Sequence, residues 1–102
     1  MENRDAFIAK LKAKLDEWKA EIQQMEARSR QEQADKQMAY NEHLDTLRQH
    51  RDAAQQHLDR LQGSSDDTWD TVKRDAEDAW ARLSQALANA RARLGGGESK
   101  AA

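Results

Sequence analysis

The sequence predicts an all-α protein in which a long helix is followed by a shorter antiparallel helix, as a helical hairpin or coiled coil. Two observations lead to this prediction. Between Asn3 and Leu94 the chain has no proline and a single glycine, Gly63, and both residue types disfavour helix interiors. Over the same span, large apolar side chains recur at steps of three and four residues, the spacing of one face of an amphipathic helix.

The composition suits helices with narrow apolar stripes better than a thick globular core. Of the 102 residues, 37% are apolar and 35% are charged. Nineteen acidic and seventeen basic residues give a net charge of -2, and because the two signs are interspersed, no nucleic-acid surface is predicted. Cysteine is absent, which excludes disulfides and thiolate metal sites. Neither a secretory signal nor an apolar run of about 18 residues is present, so we expect a cytoplasmic protein.

The first helix is predicted over about residues 4–62. Its N-terminal part has the clearest heptad pattern, whereas its middle, roughly from Arg28 to Gln37, is polar on every side. Residues 43–62 repeat every seven positions as HLDTLRQ, HRDAAQQ and HLDRLQ, which fixes the helical register.

A short turn over residues 63–65 and a second helix over about 66–94 are predicted next. Gly63 and the preceding Arg60 are typical of a helix C-terminus, and Asp66 and Asp67 suit the first turn of the following helix. Residues 1–94 are therefore expected to form one helical domain, and residues 95–102 a disordered tail. The apolar seam predicted for self-association comprises Ile8, Leu11, Leu15, Trp18, Ile22, Met25, Leu44, Leu47, Leu58, Leu61, Trp69, Val72, Trp80, Leu83, Leu87 and Leu94.

The unequal helix lengths lead to a prediction about assembly. A continuous first helix would be roughly 90 Å long and the second only roughly 40 Å, so the second cannot cover the N-terminal stripe. Leaving six large side chains of that stripe exposed would forgo on the order of 10 kcal/mol of burial. We therefore predict an antiparallel homodimer in which each N-terminal arm packs on the partner's hairpin, giving a three-helix bundle at each end.

A monomeric three-helix bundle is the alternative arrangement. It requires a break near Arg28 to Glu32 and shares nearly the same contacts, so the two forms differ by a domain swap. The segment ARSRQEQADKQ at that place contains neither glycine nor proline, which favours the continuous helix and the dimer.

Two segments, RDAFIAKLKAKLDEWKAEI from Arg4 to Ile22 and DTWDTVKRDAEDAWARLSQAL from Asp67 to Leu87, resemble a family of small bacterial coiled-coil proteins. That family carries a loose stress-response label and no established activity. The resemblance implies a bacterial, helical, non-enzymatic protein, and it supplies no functional residues.

Three histidines at seven-residue spacing, His43, His50 and His57, raise the question of a metal site. Successive ones lie about 10 Å apart along a helix, so no two from one chain can bind the same ion without ligands from a second helix. We predict no metal or cofactor. A pH effect on helix pairing is the expected consequence of these residues.

Other candidate sites have simpler structural explanations. The tryptophans at 18, 69 and 80 fall on the apolar stripe, so core packing is predicted for them rather than an aromatic platform. The positive charge of Lys10, Lys12 and Lys14 is cancelled by the acidic residues that follow, which weakens a membrane-surface hypothesis. The carboxylates at 66, 67 and 70 fit a helix start better than a cation site.

No arrangement of residues predicts catalysis, since the sequence has no nucleophile elbow, HExxH or phosphate loop. We expect a structural or interaction protein that self-associates and binds a further protein partner. The alternative function is a reversible lipid-surface protein whose hairpin opens on a bilayer. The narrow, alanine-rich stripe favours the first function, because lipid-binding helices usually have a broad apolar face.

Overall fold

The computed structural model describes residues 3–95 and contains three α-helices followed by a π-helical turn. The helices are α1 at Arg4–Gln31, α2 at Ala34–Gly63 and α3 at Trp69–Ala90, and the π-helical turn is Arg91–Gly95. The predicted all-α fold class is confirmed for this part of the chain. The molecule measures 51 × 23 × 17 Å, close to the length of one helix of about 30 residues.

Helix α1 begins where the sequence allows a good N-cap. The Asn3 side chain accepts a hydrogen bond from the Ala6 backbone N–H at 3.2 Å, and Asp5 places negative charge in the first turn. At the other end, Arg28 and Arg30 lie in the last turn, where positive charge complements the helix dipole.

The first helix is interrupted, contrary to the continuous helix predicted over about 4–62. Glu32 and Gln33 both have extended backbone, with ψ values of 158° and 160°. The interruption lets α1 fold back on α2 and bury its own apolar stripe. That burial amounts to on the order of 10 kcal/mol, far more than the helix propensity of a few residues, at about 1 kcal/mol or less each. Tertiary packing therefore outweighs the local preference for helix.

The turn between α2 and α3 is longer than the predicted 63–65. Gly63 is the last residue of α2, and Ser64 closes that helix by donating from both its N–H and its hydroxyl to the Leu61 carbonyl. Helix α3 begins only at Trp69, so Asp66 and Asp67 precede its first turn instead of lying in it. The predicted end near residue 94 falls inside the π-helical turn, and most of the predicted disordered tail, residues 96–102, lies outside the described residues.

The three helices form a bundle in which α2 runs antiparallel to both α1 and α3. Contacts of Lys19 with Gln55 and of Glu26 with Arg48 establish the antiparallel α1–α2 pair, while Arg4 at one end reaches the turn before α3. One core runs along the bundle. It contains Leu11, Leu15, Trp18, Ile22, Met25, Tyr40, Leu44, Leu47, Ala54, Leu58, Leu61, Trp69, Ala76, Ala79, Trp80, Leu83, Leu87 and Ala90.

Candidate interaction surfaces

The apolar residues predicted for a seam between chains lie in the core of a single chain. Thirteen of the sixteen are buried, and the remaining three, Ile8, Val72 and Leu94, are partly buried and pack against the same core. One chain thus covers its own N-terminal stripe, which removes the burial argument for an obligate dimer. That the same side chains also pack between two chains remains a prediction.

The tryptophans are core residues rather than a binding platform. Trp18, Trp69 and Trp80 are 7%, 8% and 6% exposed, and their rings fill the space between helices. The indole N–H of Trp80 is buried without a hydrogen-bond partner among the described residues. These side chains therefore contribute stability, and none presents a free aromatic face for a ligand.

One end of the bundle is held by a cation–aromatic cluster that sequence analysis missed. The Arg4 guanidinium lies 4.4 Å from the Trp69 ring centroid and donates hydrogen bonds to Asp66 Oδ1 and the Ser64 carbonyl, both at 2.7 Å. Phe7 packs edge-on against Trp69 with ring centroids 5.9 Å apart. No local signal could have linked Arg4 to residues sixty or more positions away.

Two ion pairs join α1 to the other helices. Arg48 donates to Glu26 with an Nη2–Oε2 distance of 2.5 Å, and Arg91 Nη2 donates to Glu21 Oε1 at 2.6 Å. These hydrogen bonds, rather than burial, raise the pKa of both arginines above the ordinary value. Because the folded pKa is raised, the associated stability is lost only at strongly alkaline pH, so these pairs do not act as switches near neutrality. Both arginines are partly exposed, which limits the strength of the pairs.

The three histidines lie in a groove between α2 and α3. His43 and His50 line a cavity of about 550 Å³, together with Arg82 and Arg93 of the opposite wall. His50 also lines a neighbouring cavity of about 160 Å³ with His57. Within residues 3–95, no group of three or more histidine, aspartate or glutamate side chains is placed to hold a metal ion.

The junction between α1 and α2 is held by backbone and side-chain hydrogen bonds rather than by an N-cap side chain. The Glu32 N–H donates to the Ser29 carbonyl at 3.1 Å, and Gln37 Nε2 of α2 donates to the Arg30 carbonyl of α1 at 3.4 Å. The Gln33 side chain makes no capping hydrogen bond to α2. The first backbone bond of that helix is donated by Gln37 to the Gln33 carbonyl, at 2.9 Å. Nearby, Ser29 donates from its hydroxyl to Asn41 Oδ1 at 3.3 Å. We call this two-residue segment, Glu32–Gln33, the hinge.

The charged residues that the sequence suggested for a membrane surface or a cation site include two that are paired within the chain. Lys14 forms an ion pair with Glu17 at 3.8 Å and lies 5.7 Å from the Trp18 ring centroid, so its charge is compensated within α1. Of the three carboxylates considered for a cation site, Asp66 is engaged by Arg4. No helix in the described part of the chain is long and apolar enough to cross a membrane.

Comparisons with known proteins give no relative for this chain. No protein-family model, curated protein or solved structure matches it. The resemblance to small bacterial coiled-coil proteins therefore remains an expectation based on Arg4 to Ile22 and Asp67 to Leu87, and the geometry of the bundle is the basis for any functional proposal.

Proposed function

We propose that this chain is a structural or interaction protein that self-associates as a homodimer by exchanging α1 between two copies. The hinge is the observation on which the proposal rests. It joins two long helices with two extended residues that contain neither glycine nor proline, and no side chain caps the helix that follows it. Such a short connection between exchangeable elements is typical of domain-swapping proteins.

The exchanged form would preserve the core of the bundle. With the hinge residues helical, α1 and α2 become one long helix, and the α1 of each copy packs on the α2–α3 hairpin of its partner. The pairing of Lys19 with Gln55 and of Glu26 with Arg48 would form between chains instead of within one. Since both forms bury the same apolar surface, the balance depends on the hinge and on protein concentration.

Conversion of the hinge from extended to helical backbone would also stabilise the start of α2. Extended Glu32 and Gln33 leave the first N–H groups of α2 without a side-chain acceptor, whereas a continuous helix would give them backbone partners. The residues around the hinge, mostly glutamine, glutamate, alanine, lysine and arginine, are good helix formers. Helix formation at the hinge therefore favours the dimer, because it offsets part of the entropic cost of bringing two chains together.

A cysteine cross-linking experiment tests the exchange directly, because the chain has no native cysteine. Lys19→Cys and Gln55→Cys would replace two side chains whose Nζ and Oε1 atoms are 2.7 Å apart. After gel filtration with light scattering at several concentrations, the dimer fraction is treated with a short bismaleimide and run on a denaturing gel. The proposal predicts a covalent dimer.

A control pair lies on the hairpin that stays within one chain in both forms. His57→Cys and Asp75→Cys line one cavity between α2 and α3, so their cross-link should give a covalent monomer whether or not α1 is exchanged. A covalent monomer from the 19/55 pair in the dimer fraction would show side-by-side association and overturn the exchange. A monomer mass at all concentrations up to the millimolar range would overturn self-association itself.

The setting of this function follows from the family resemblance and the sequence hypothesis. The resemblance adds a stress-related role in a bacterium to the proposal, and the sequence hypothesis adds a cytoplasmic location and a further protein partner. The lipid-surface alternative would require the bundle to open so that Trp18 and Trp80, both buried, could reach a bilayer.

A further inference from the structure

The groove between α2 and α3 is bordered along its length by two stripes with helical periodicity. On α2 the stripe advances by steps of three and four residues from His43 to His57, and on α3 and the π-helical turn it advances in the same way from Arg82 to Arg93. Alanines lie between the polar residues, which keeps the groove open. Such parallel stripes can receive another helix along the groove, because helices pack through residues three and four apart.

Five polar side chains in this groove have no partners within the described chain. The members of this set, which make no hydrogen bond or ion pair with any of residues 3–95, are His43, His50, Gln85, Asn89 and Arg93. In contrast, two carboxylates of α1 that face the other helices, Glu26 and Glu21, are each paired with an arginine. The polar atoms of the five groove residues are thus available to a partner.

Charge is distributed unevenly along the groove. The larger cavity is lined by Arg82 and Arg93 and by no carboxylate. The smaller cavity is lined by Asp75 and Asp78, and Asp78 Oδ2 accepts a hydrogen bond from Arg82 Nε at 3.1 Å. The end that contains Arg93 is therefore the positive end.

We propose that this groove binds an acidic helix of another protein, with the carboxylates of that helix at the end formed by His43, His50 and Arg93. Arginine, histidine and amide N–H groups are the donors that carboxylates accept from. The groove has too few cations to neutralise a phosphate backbone, which usually requires several lysines or arginines. The proposal specifies the partner of an interaction protein, and it does not depend on exchange of α1, because α2 and α3 remain together in both forms.

Binding of a designed probe tests the proposal. The probe is a fluorescent alanine-based helical peptide with glutamates at steps of three and four, and its control peptide carries glutamine at the same positions. Fluorescence anisotropy at physiological salt should show binding of the glutamate peptide only.

Substitutions test whether the peptide binds in the groove. Arg93→Gln should weaken peptide binding about fivefold, the effect of losing one charged contact at a partly exposed site. Arg74→Gln is the matched control, since Arg74 is an exposed arginine of α3 that lines neither cavity, and it should leave binding unchanged. The double variant His43→Ala and His50→Ala should also weaken binding of the glutamate peptide, because two ring N–H donors are lost, while the circular dichroism spectrum stays that of the folded protein.

Other outcomes would overturn the proposal. Equal binding of the glutamate and glutamine peptides would exclude recognition of carboxylates, and equal weakening by Arg93→Gln and Arg74→Gln would place any binding outside the groove. Tighter binding of a single-stranded oligonucleotide than of the glutamate peptide would assign the groove to phosphate instead. Absence of peptide binding in a protein that still dimerises would reject the groove while leaving the exchange of α1 standing.

Discussion

Individual residues in this chain are constrained mainly by burial. Trp80 is 6% exposed and Trp18 is 7% exposed, so truncating either leaves a large cavity between helices. We expect Trp18→Ala and Trp80→Ala each to lower the free energy of unfolding by about 3–5 kcal/mol. Urea denaturation followed by circular dichroism would measure this loss, and the tryptophan fluorescence should shift red in the same transition.

A matched control for the tryptophans is the exposed Met38, of which 67% is accessible to solvent. Met38→Ala removes a large apolar side chain that contributes little burial, so it should change the stability by about 0.5 kcal/mol or less. If the three alanine variants were equally stable, the tryptophans would not be core residues.

Gly63 gives a second prediction at the residue scale. It is the last residue of α2, its φ is not positive, and an added Cβ would meet no atom within 4 Å. Gly63→Ala should therefore stabilise the fold by about 0.5–1 kcal/mol, because alanine reduces the entropy of the unfolded chain. Ala39→Gly, at an exposed position inside α2, should shift the denaturation midpoint in the opposite direction. Destabilisation by Gly63→Ala would contradict the helical conformation at this position.

At the scale of elements, the hinge decides how α1 is connected to α2. Gln33 occupies the N-cap of α2 without a capping hydrogen bond, and serine or aspartate at an N-cap stabilises a helix start by about 1 kcal/mol. We expect Gln33→Asp to favour the extended hinge of the monomer and to raise the dimer dissociation constant about 30-fold, because about 1 kcal/mol acts at each of the two hinges in a dimer. The measurement is light scattering coupled to gel filtration, with Gln24→Asp in the interior of α1 as the control.

Lengthening the hinge should also shift the equilibrium from dimer to monomer. Gly-Gly inserted after Glu32 supplies a flexible turn and interrupts the continuous helix, so the monomer should predominate at concentrations where the native chain dimerises. An unchanged dimer mass in both hinge variants would mean that association does not use the exchange of α1.

At the scale of the whole molecule, the buried core separates the proposed function from its lipid-surface alternative. The apolar stripes face one another inside the bundle, so binding to a bilayer would require the bundle to open. We expect no change in tryptophan fluorescence or helicity when anionic vesicles are added at physiological salt. A clear blue shift with vesicles, together with near-native stability of Trp18→Ala and Trp80→Ala, would favour the lipid-surface function.

The periodic positions of leucine, isoleucine and tryptophan were sufficient to predict the all-α fold class, and thirteen of the sixteen residues predicted for the seam are buried. The buried Tyr40 and four core alanines were not among them. Each helix contains enough local information for the fold class, because residues three and four apart share a face whatever that face later contacts. Gly63 likewise marks a helix end that is close to the observed one. The histidine spacing indicated one face of α2, but nothing in the local sequence showed that Arg93 lies on the opposite wall of the groove.

Tertiary packing decided the connection between α1 and α2 and the partners of the charged residues. The segment around Glu32 and Gln33 favours helix locally, yet these residues are extended because the bend buries the stripe from Leu11 to Met25 against α2 and α3. The contacts of Arg4 with Trp69 and of Glu21 with Arg91 join positions far apart in the chain. Sequence periodicity determines which face of each helix is apolar, but within a single chain only the burial of all three faces together determines where the chain turns.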